Sequence, residues 1–152
     1  MKVEIIKLNP EMPDLQYATP GSAALDLYAN IEEDRELWPG EVLKIPTGVK
    51  IHLATSWLAG FVLPRSGLGS QGLVLGNLVG LIDSDYQGEL IVTAWNRNEE
   101  DKVVIPSWRS GKAFAQYLAT IVIKLELQEV EEFSNVSLRG EGGFGSTDGE
   151  KK

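Results

Sequence analysis

The chain has 152 residues, 43% hydrophobic and 24% charged, a composition that suits one globular domain with a single core. Its 22 acidic and 14 basic residues give a net charge of −8, which argues against a broad basic surface for nucleic acid. The absence of cysteine excludes disulfides, thiolate metal sites and a cysteine nucleophile, and the single histidine, His52, excludes multi-histidine metal sites and disfavours a Ser-His triad.

Short apolar stretches and turn-forming residues alternate along the chain. The stretches cover residues 3–8, 42–45, 49–53, 58–63, 90–95, 103–105 and 119–127, and glycines or Pro-Gly pairs separate most of them, Gly48 among them. Many short strands with turns between them predict an all-β sandwich or barrel. Regular alternation is clearest at 50–53, which includes His52, and at 121–127.

One short helix is predicted directly after Pro64, around residues 65–69, with part of 70–75 as the alternative. Charged residues interrupt the first apolar stretch, so it lacks the core of a signal peptide. No apolar run approaches the roughly 20 residues that span a bilayer. We therefore expect a cytoplasmic protein without membrane contacts.

The C-terminal region differs in composition, because five of the ten residues 140–149 are glycine. One interpretation is a disordered end. The other is an arm that becomes ordered on a ligand, since Arg139 and Phe144 stand among glycines whose N–H groups can bind an anion. The predicted organisation is a β domain over residues 1–136 and a flexible, glycine-rich arm over residues 137–152 that closes an active site.

The segment Pro64–Gly69 combines groups that suit phosphate. Arg65 offers a guanidinium, Ser66 a hydroxyl and Gly67 an unhindered backbone N–H. The spacing of a Walker loop is missing. An ordinary exposed turn therefore remains an equally good interpretation of this segment on its own.

The segment Gly76–Leu90 has two apolar arms around a polar turn, which predicts a β-hairpin or a broad β-arch. Asn77 carries a donor and an acceptor that would suit the edge of a base. Asp83 ends an apolar arm, so we expect it to be partly desolvated, as a general base would be. Tyr86 could stack on a sugar or base. The alternative is a simple Asp-Ser-Asp turn.

The third segment, Gly111–Gln116, carries a lone amide, Gln116, in an apolar stretch. This amide is either a buried, satisfied side chain or a donor to phosphate. Lys112 is expected to point away from any site if the segment is a strand. In so acidic a chain, a triphosphate would have to be bound by local cations, N–H groups and a divalent ion.

Together these segments resemble the trimeric dUTP diphosphatase (dUTPase) family. Five motifs occur in the family's order and at its spacing, and the likeness runs from about Pro20 to Gly149; the motifs are Ser22–Leu27, Pro64–Gly69, Gly76–Leu90, Gly111–Gln116 and Arg139–Thr147. The resemblance implies a jelly-roll-like distorted β-barrel and a homotrimer with shared active sites. It also implies Mg²⁺-dependent hydrolysis of dUTP to dUMP and pyrophosphate, which limits uracil incorporation into DNA and supplies dUMP for dTMP synthesis.

The resemblance also implies a role for individual residues. Asp83 would activate the water that attacks the α-phosphorus, and Asp26 would act on the water shell of the metal. The uracil would be read by Asn77 and covered by Phe144 of another subunit, with Tyr86 against the deoxyribose. The implied substrate-binding residues are Arg65, Ser66, Gly67, Asn77, Leu81, Ile82, Asp83, Tyr86, Ile91, Gln116, Arg139, Phe144, Gly145 and Ser146.

The chain departs from the family pattern in four places. Ala24 replaces a usual glycine, Ala113 replaces a common arginine, Asp148 replaces a tail glycine, and the segment 107–110 is longer than usual. Two other functions remain open: a related dCTP deaminase, and a dUTPase-fold regulatory protein with secondary catalysis. Trp108 would be exposed to a partner in the regulatory case; otherwise it packs against its own subunit.

Overall fold

The structure is a computed structural model and describes residues 1–142. Within this range the chain is almost entirely β, as the pattern of short apolar stretches predicts. A short helix, α1, follows Pro64 as predicted and spans Ser66–Ser70, and a 3₁₀ turn spans Trp108–Ser110. The strands are β1 Glu4–Lys7, β2 Leu25–Leu27, β3 Arg35–Leu37, β4 Val42–His52, β5 Leu58–Pro64, β6 Leu73–Leu75, β7 Gly80–Ile82, β8 Glu89–Asn96, β9 Val103–Ile105 and β10 Ala115–Ile121.

Two four-stranded antiparallel sheets form the framework. The first has the order β1-β4-β8-β6 and the second β2-β10-β5-β7, while β3 and β9 pair separately. Among the described strands, the pairing does not close either sheet into a barrel. The prediction of an all-β fold is confirmed. No helix in residues 1–142 combines the length and apolar character needed to cross a membrane.

Both sheets contribute side chains to one hydrophobic core. Alternate residues of β8, beginning with Leu90 and Val92, are almost fully buried, and Leu27 and Val62 of the other sheet belong to the same cluster. Full burial of such a side chain contributes about 1.5–3 kcal/mol. The alternation leaves Ile91 exposed on the outer face of β8.

The apolar stretches 42–45 and 49–53 form one strand, so the turn predicted at Gly48 is wrong. A bulge shifts the pairing of β4 with β8 between Pro46 and Lys50. Gly48 has a φ of +69° and its N–H donates to Glu89 Oε1 at 2.7 Å. Its left-handed conformation therefore bends a continuous strand instead of ending it.

We expect Gly48→Ala to lower the free energy of unfolding by about 2–4 kcal/mol. An added Cβ would adopt a strained φ and lie 2.6 Å from Met12 Sδ. Urea unfolding at a fixed chain concentration measures the effect. The matched control is Gly21→Ala, where an added Cβ meets no atom within 4 Å. Equal stability of the two variants would contradict the role assigned to the bulge.

The strand predicted over 119–127 ends earlier than its alternation suggests. β10 stops at Ile121, opposite Leu58 at the start of β5. Val122 still donates its N–H to the Trp57 carbonyl at 2.8 Å, but no strand within residues 1–142 pairs with the chain beyond. The following segment, residues 122–142, forms neither strand nor helix. Its apolar side chains are 77–95% exposed in the clearest cases, which are Ile123, Leu125, Leu127, Phe133 and Val136.

Candidate active site

The structure brings together three of the residues expected to bind phosphate or metal. Asp26 on β2 lies opposite Gln116 on β10, and both side chains therefore share one face of the sheet. Arg65, directly after β5, places Nη1 3.2 Å from Asp26 Oδ1. Gln116 Nε2 donates to the Pro64 carbonyl at 2.9 Å, which fixes the amide beside the start of the Arg65 loop. We call Asp26, Arg65, Ser66, Gly67 and Gln116 the Arg65 cluster.

Ser66 and Gly67 open helix α1, and Arg65 precedes it in an extended conformation. The first N–H groups of a helix have no partner within the helix, so those of Ser66 and Gly67 are free to donate outward. An added Cβ at Gly67 would meet no atom within 4 Å, so the packing of this chain does not require glycine there. The space fits the close approach of a ligand to the backbone.

Two cavities flank the Asp26–Arg65 ion pair. One, of about 520 Å³, is lined by both residues together with Ser66, Gly67 and Lys112. The other, of about 370 Å³, is lined by both residues together with Ala24 and Gln116. The Arg65 cluster thus surrounds open space with donors and one carboxylate.

The segment Gly76–Leu90 is a β-arch and not a hairpin. β7 pairs with β5 in one sheet, whereas β8 pairs with β4 and β6 in the other. The turn before β7 places Asn77 at the surface, and Leu78 there has a φ of +62°. The two arms therefore belong to different sheets, and the polar turn joins them.

Tyr86 is held firmly within this arch. Its hydroxyl donates to the Glu89 carbonyl at 2.9 Å, and its N–H donates to the Asp83 carbonyl at 3.2 Å. The ring lies so close to Gly88 that any Cβ there would overlap the hydroxyl oxygen. Gly88 therefore allows Tyr86 to keep its position.

Asp83 is exposed in the single chain. The prediction that its carboxylate is partly desolvated is therefore wrong for the single chain. The reason is that β7, which Asp83 follows, is the edge strand of its sheet. Asp83 lines a cavity of about 420 Å³ with Leu81, Ser84 and Lys124. Among its apolar neighbours, Ile82 is half-buried, and Leu81 is 60% exposed.

Asp83 and the Arg65 cluster lie at separate places on the chain. Along β5, Gly60 opposes Ile82 and Leu63 opposes Gln116. Three residues along the strand and two spacings between strands put Ile82 about 14 Å from Gln116. Asp83, the next residue after Ile82, lies farther from Gln116 still. The single chain therefore brings Asp26, Arg65 and Gln116 together and keeps the Asn77–Tyr86 group apart.

The described part of the arm makes local contacts. Arg139 is exposed, and its Nε donates to the Gly142 carbonyl at 2.7 Å. Phe144, Gly145 and Ser146 lie outside the described residues, as does Asp148.

A family model described as dUTPase matches residues 10–148. The chain belongs to the dUTPase family. It is 54% identical over 140 residues to the deoxyuridine 5′-triphosphate nucleotidohydrolase of Pseudomonas paraeruginosa, covering 91% of this chain and 89% of the relative.

Solved structures agree with this membership. The dUTPase of Staphylococcus bacteriophage 80alpha, a mutant bound to dUpNHpp, is 25% identical with a TM-score of 0.81, over 96% of this chain and 98% of that one. A mutant dUTPase of phage phi11, described as coordinating a structural Mg(II) ion, has a TM-score of 0.75 at 22% identity, over 89% of this chain and 100% of that one. These likenesses confirm the predicted dUTPase-like jelly-roll fold.

Three of the four departures from the dUTPase pattern lie within the described residues. Ala24 has no positive φ, so an alanine is accommodated without backbone strain. Ala113 is buried beside Trp108 in a cluster with Met12 and Tyr28, as one of the two interpretations of Trp108 predicts. Arg109 stacks over the Trp108 ring at 4.3 Å. The longer segment thus packs onto its own chain.

Lys112, which the sequence analysis expects to point away from any site, lies beside the Arg65 cluster. Lys112 precedes β10, which begins at Ala115, so it lies in a loop and lines the cavity of Arg65. Gly111 is the sequence signal for this loop, because glycine favours the left-handed positions that end helical turns. In the structure Gly111 has a φ of +68° and ends the 3₁₀ turn.

The Arg65 cluster offers a metal ion one carboxylate, that of Asp26. Residues 1–142 contain no group of three or more His, Asp or Glu side chains positioned to hold a metal. Mg²⁺ is commonly bound by one or two carboxylates, substrate phosphates and water. Asp26, a single half-buried carboxylate, suits contact with a water of the ion's shell.

Proposed function

We propose that this chain hydrolyses dUTP to dUMP and pyrophosphate. The observation that carries the proposal is the Arg65 cluster, which lines two cavities beside one ion pair in a chain that belongs to the dUTPase family. A guanidinium, a hydroxyl and free backbone N–H groups around one open space are the donors that a phosphate chain requires.

The phosphates are bound by the Arg65 cluster. The guanidinium of Arg65 can pair with two phosphate oxygens at once, and it lies beside Asp26 before substrate binds. Ser66 and the N–H of Gly67 donate from the start of α1, and Gln116 donates from β10. Arg139 and the Gly145-Ser146 pair are proposed to reach the phosphates from another subunit.

Asp83 is proposed as the general base. Its carboxylate takes a proton from the water that attacks the α-phosphorus, the α–β bridging oxygen leaves with pyrophosphate, and dUMP remains. Positioning and charge neutralisation supply most of the rate in phosphoryl chemistry, and a placed base adds about 10²–10⁴-fold. The exposure of Asp83 gives water free access to it.

Selectivity for deoxyuridine is assigned to the β-arch. Asn77 and nearby main-chain groups offer donors and acceptors to the uracil edge, with Leu81, Ile82 and Ile91 supplying apolar contacts. Tyr86 is fixed by the Glu89 carbonyl and Gly88. We assign its ring to the deoxyribose, where a 2′-hydroxyl would collide. Phe144 would cover the base.

Magnesium is the proposed cofactor, and when bound it would neutralise charge on the triphosphate. Asp26 would hold a water of the ion's shell. Arg65 Nη1 lies 3.2 Å from Asp26 Oδ1 and orients this carboxylate. The net charge of −8 makes such neutralisation important for an anionic substrate.

We propose a homotrimer with active sites shared between subunits. A general base must lie within hydrogen-bond reach of its proton, directly or through one water. The separation of more than about 14 Å between Asp83 and Gln116 in one chain favours a site built from two chains. The exposed apolar residues of the segment 122–142 offer a surface for a neighbouring subunit.

The proposed cellular role is to limit uracil incorporation into DNA and to supply dUMP for dTMP synthesis in the cytoplasm. No nucleic-acid or membrane partner is proposed. The regulatory alternative loses its local support because Trp108 is buried in its own chain. A dCTP deaminase is tested by the experiment that follows.

We expect pyrophosphate release from dUTP with Mg²⁺, and little release from dCTP, dTTP or UTP. Turnover should be lost in EDTA, because the phosphate charge would then be unneutralised. A coupled pyrophosphate assay on the full chain measures this. Ammonia from dCTP, or no turnover of any nucleotide by folded protein, would contradict the proposed function.

A further inference from the structure

Lys112 stands at the edge of the Arg65 cluster without a described anionic partner. It lines the cavity of about 520 Å³ together with Arg65, Ser66 and Gly67. Its side chain is exposed, and it forms no ion pair with any residue of the range 1–142. A lysine with this placement is available to an anion that enters the cavity.

The loop that presents Lys112 is held by the body of the domain. Ser107 donates its N–H to Asp34 Oδ1 at 2.8 Å, and Trp108 donates its N–H to the Ala29 carbonyl at 3.0 Å. Burial of the Trp108 ring anchors the turn that follows. The N–H of Lys112 donates to Ser110 Oγ at 3.3 Å, so the backbone of Lys112 is tied to the anchored turn.

Lys112 is a second cation at the cavity of Arg65, and its charge is not offset by a described carboxylate. Asp26 and Arg65 form an ion pair at 3.2 Å, so their charges offset each other. The neighbouring position, Ala113, is buried and carries no charge. In a chain of net charge −8, a free ammonium beside a phosphate cavity has a large influence on an incoming anion.

We propose that Lys112 is a binding residue for the phosphate chain of the substrate. The longer segment 107–110 leads through Gly111 to Lys112 at the cavity of Arg65, and the Lys112 ammonium supplies charge that Ala113 cannot. The inference rests on the proposed function, because it assumes that the Arg65 cluster binds the triphosphate. It assigns Lys112 to the phosphates and not to the base or the sugar.

The test compares Lys112→Gln with the full wild-type chain by calorimetric titration with dUpNHpp and with dUMP, in the presence of Mg²⁺. Charge-assisted contacts to phosphate are strong, so we expect the affinity for dUpNHpp to fall about tenfold while that for dUMP changes little. Affinity should also depend less on salt in the variant, because one screened attraction is removed. Lys112→Arg should restore most of the affinity.

Lys44→Gln is the matched control, since Lys44 is an exposed lysine on β4 with no ion pair in residues 1–142. It should leave the affinity for dUpNHpp unchanged. Unchanged affinity in Lys112→Gln, or an equal loss for dUpNHpp and dUMP, would overturn the inference. Failure of the wild-type chain to hydrolyse dUTP would instead overturn the proposed function, and the two failures are therefore distinguishable.

Discussion

Replacing Asp83 with asparagine should lower kcat for dUTP by about 10²–10⁴-fold, because an amide cannot take the proton of the attacking water. The affinity for dUpNHpp should change little. Asp83 is exposed and its side chain forms no hydrogen bond with residues 1–142, so the substitution removes no described structural contact. Single-turnover hydrolysis and calorimetric titration measure the two quantities separately.

The control for this variant is Asp85→Asn, two residues along the same arch and also exposed. It removes the same charge without removing the proposed base, and its kcat should stay close to that of the wild-type chain. Near-normal turnover by Asp83→Asn would refute the assignment of the base. Equal losses in both variants would show that the charge of the turn, and not proton transfer, matters.

Ending the chain after Leu138 should reduce dUTP turnover by roughly 100-fold or more, since the arm carries proposed donors to the transition state. The proposed trimer should persist. Arg139, Gly140 and Gly142 make only local hydrogen bonds within residues 137–142, so their removal costs the fold little. Turnover and molar mass by light scattering would be measured on the same preparation.

A single substitution distinguishes the effect of losing the Phe144 side chain from the effect of losing the whole arm. Phe144→Ala keeps the whole chain, and the proposed cover for the base predicts a higher KM for dUTP in this variant. Dissociation of the shortened chain into monomers would mean that the arm is a structural element. Full activity of the shortened, intact trimer would exclude the arm from the active site.

The sequence predicts the fold class and the helix after Pro64, because turn residues and short apolar runs are local signals. It fails at Gly48, where the same glycine conformation that could end a strand bends one strand across a bulge. It also fails beyond Ile121, since alternation records which side chains are apolar and not whether a neighbouring strand exists in the same chain. Pairing depends on residues far away in sequence.

The candidate site likewise has features that the sequence predicts and features that depend on the tertiary structure. The membership of Asp26, Arg65 and Gln116 in one cluster follows from motifs, and strand register brings them together. The exposure of Asp83 could not be predicted, because it depends on β7 being an edge strand. The prediction that Lys112 points away from the site fails because it assumes a strand, whereas the chain forms a loop before Ala115.

The exposed apolar segment after β10 has a consequence for the newly made protein. Hydrophobic residues that look ordinary in the composition, such as Leu127 and Phe133, contribute nothing to the core of their own chain. A chain released from synthesis therefore presents a strip of apolar surface to its surroundings. In the proposed trimer other copies of the chain would cover this surface, so assembly would compete with aggregation. The yield of folded protein would then rise with the rate at which copies of the chain meet.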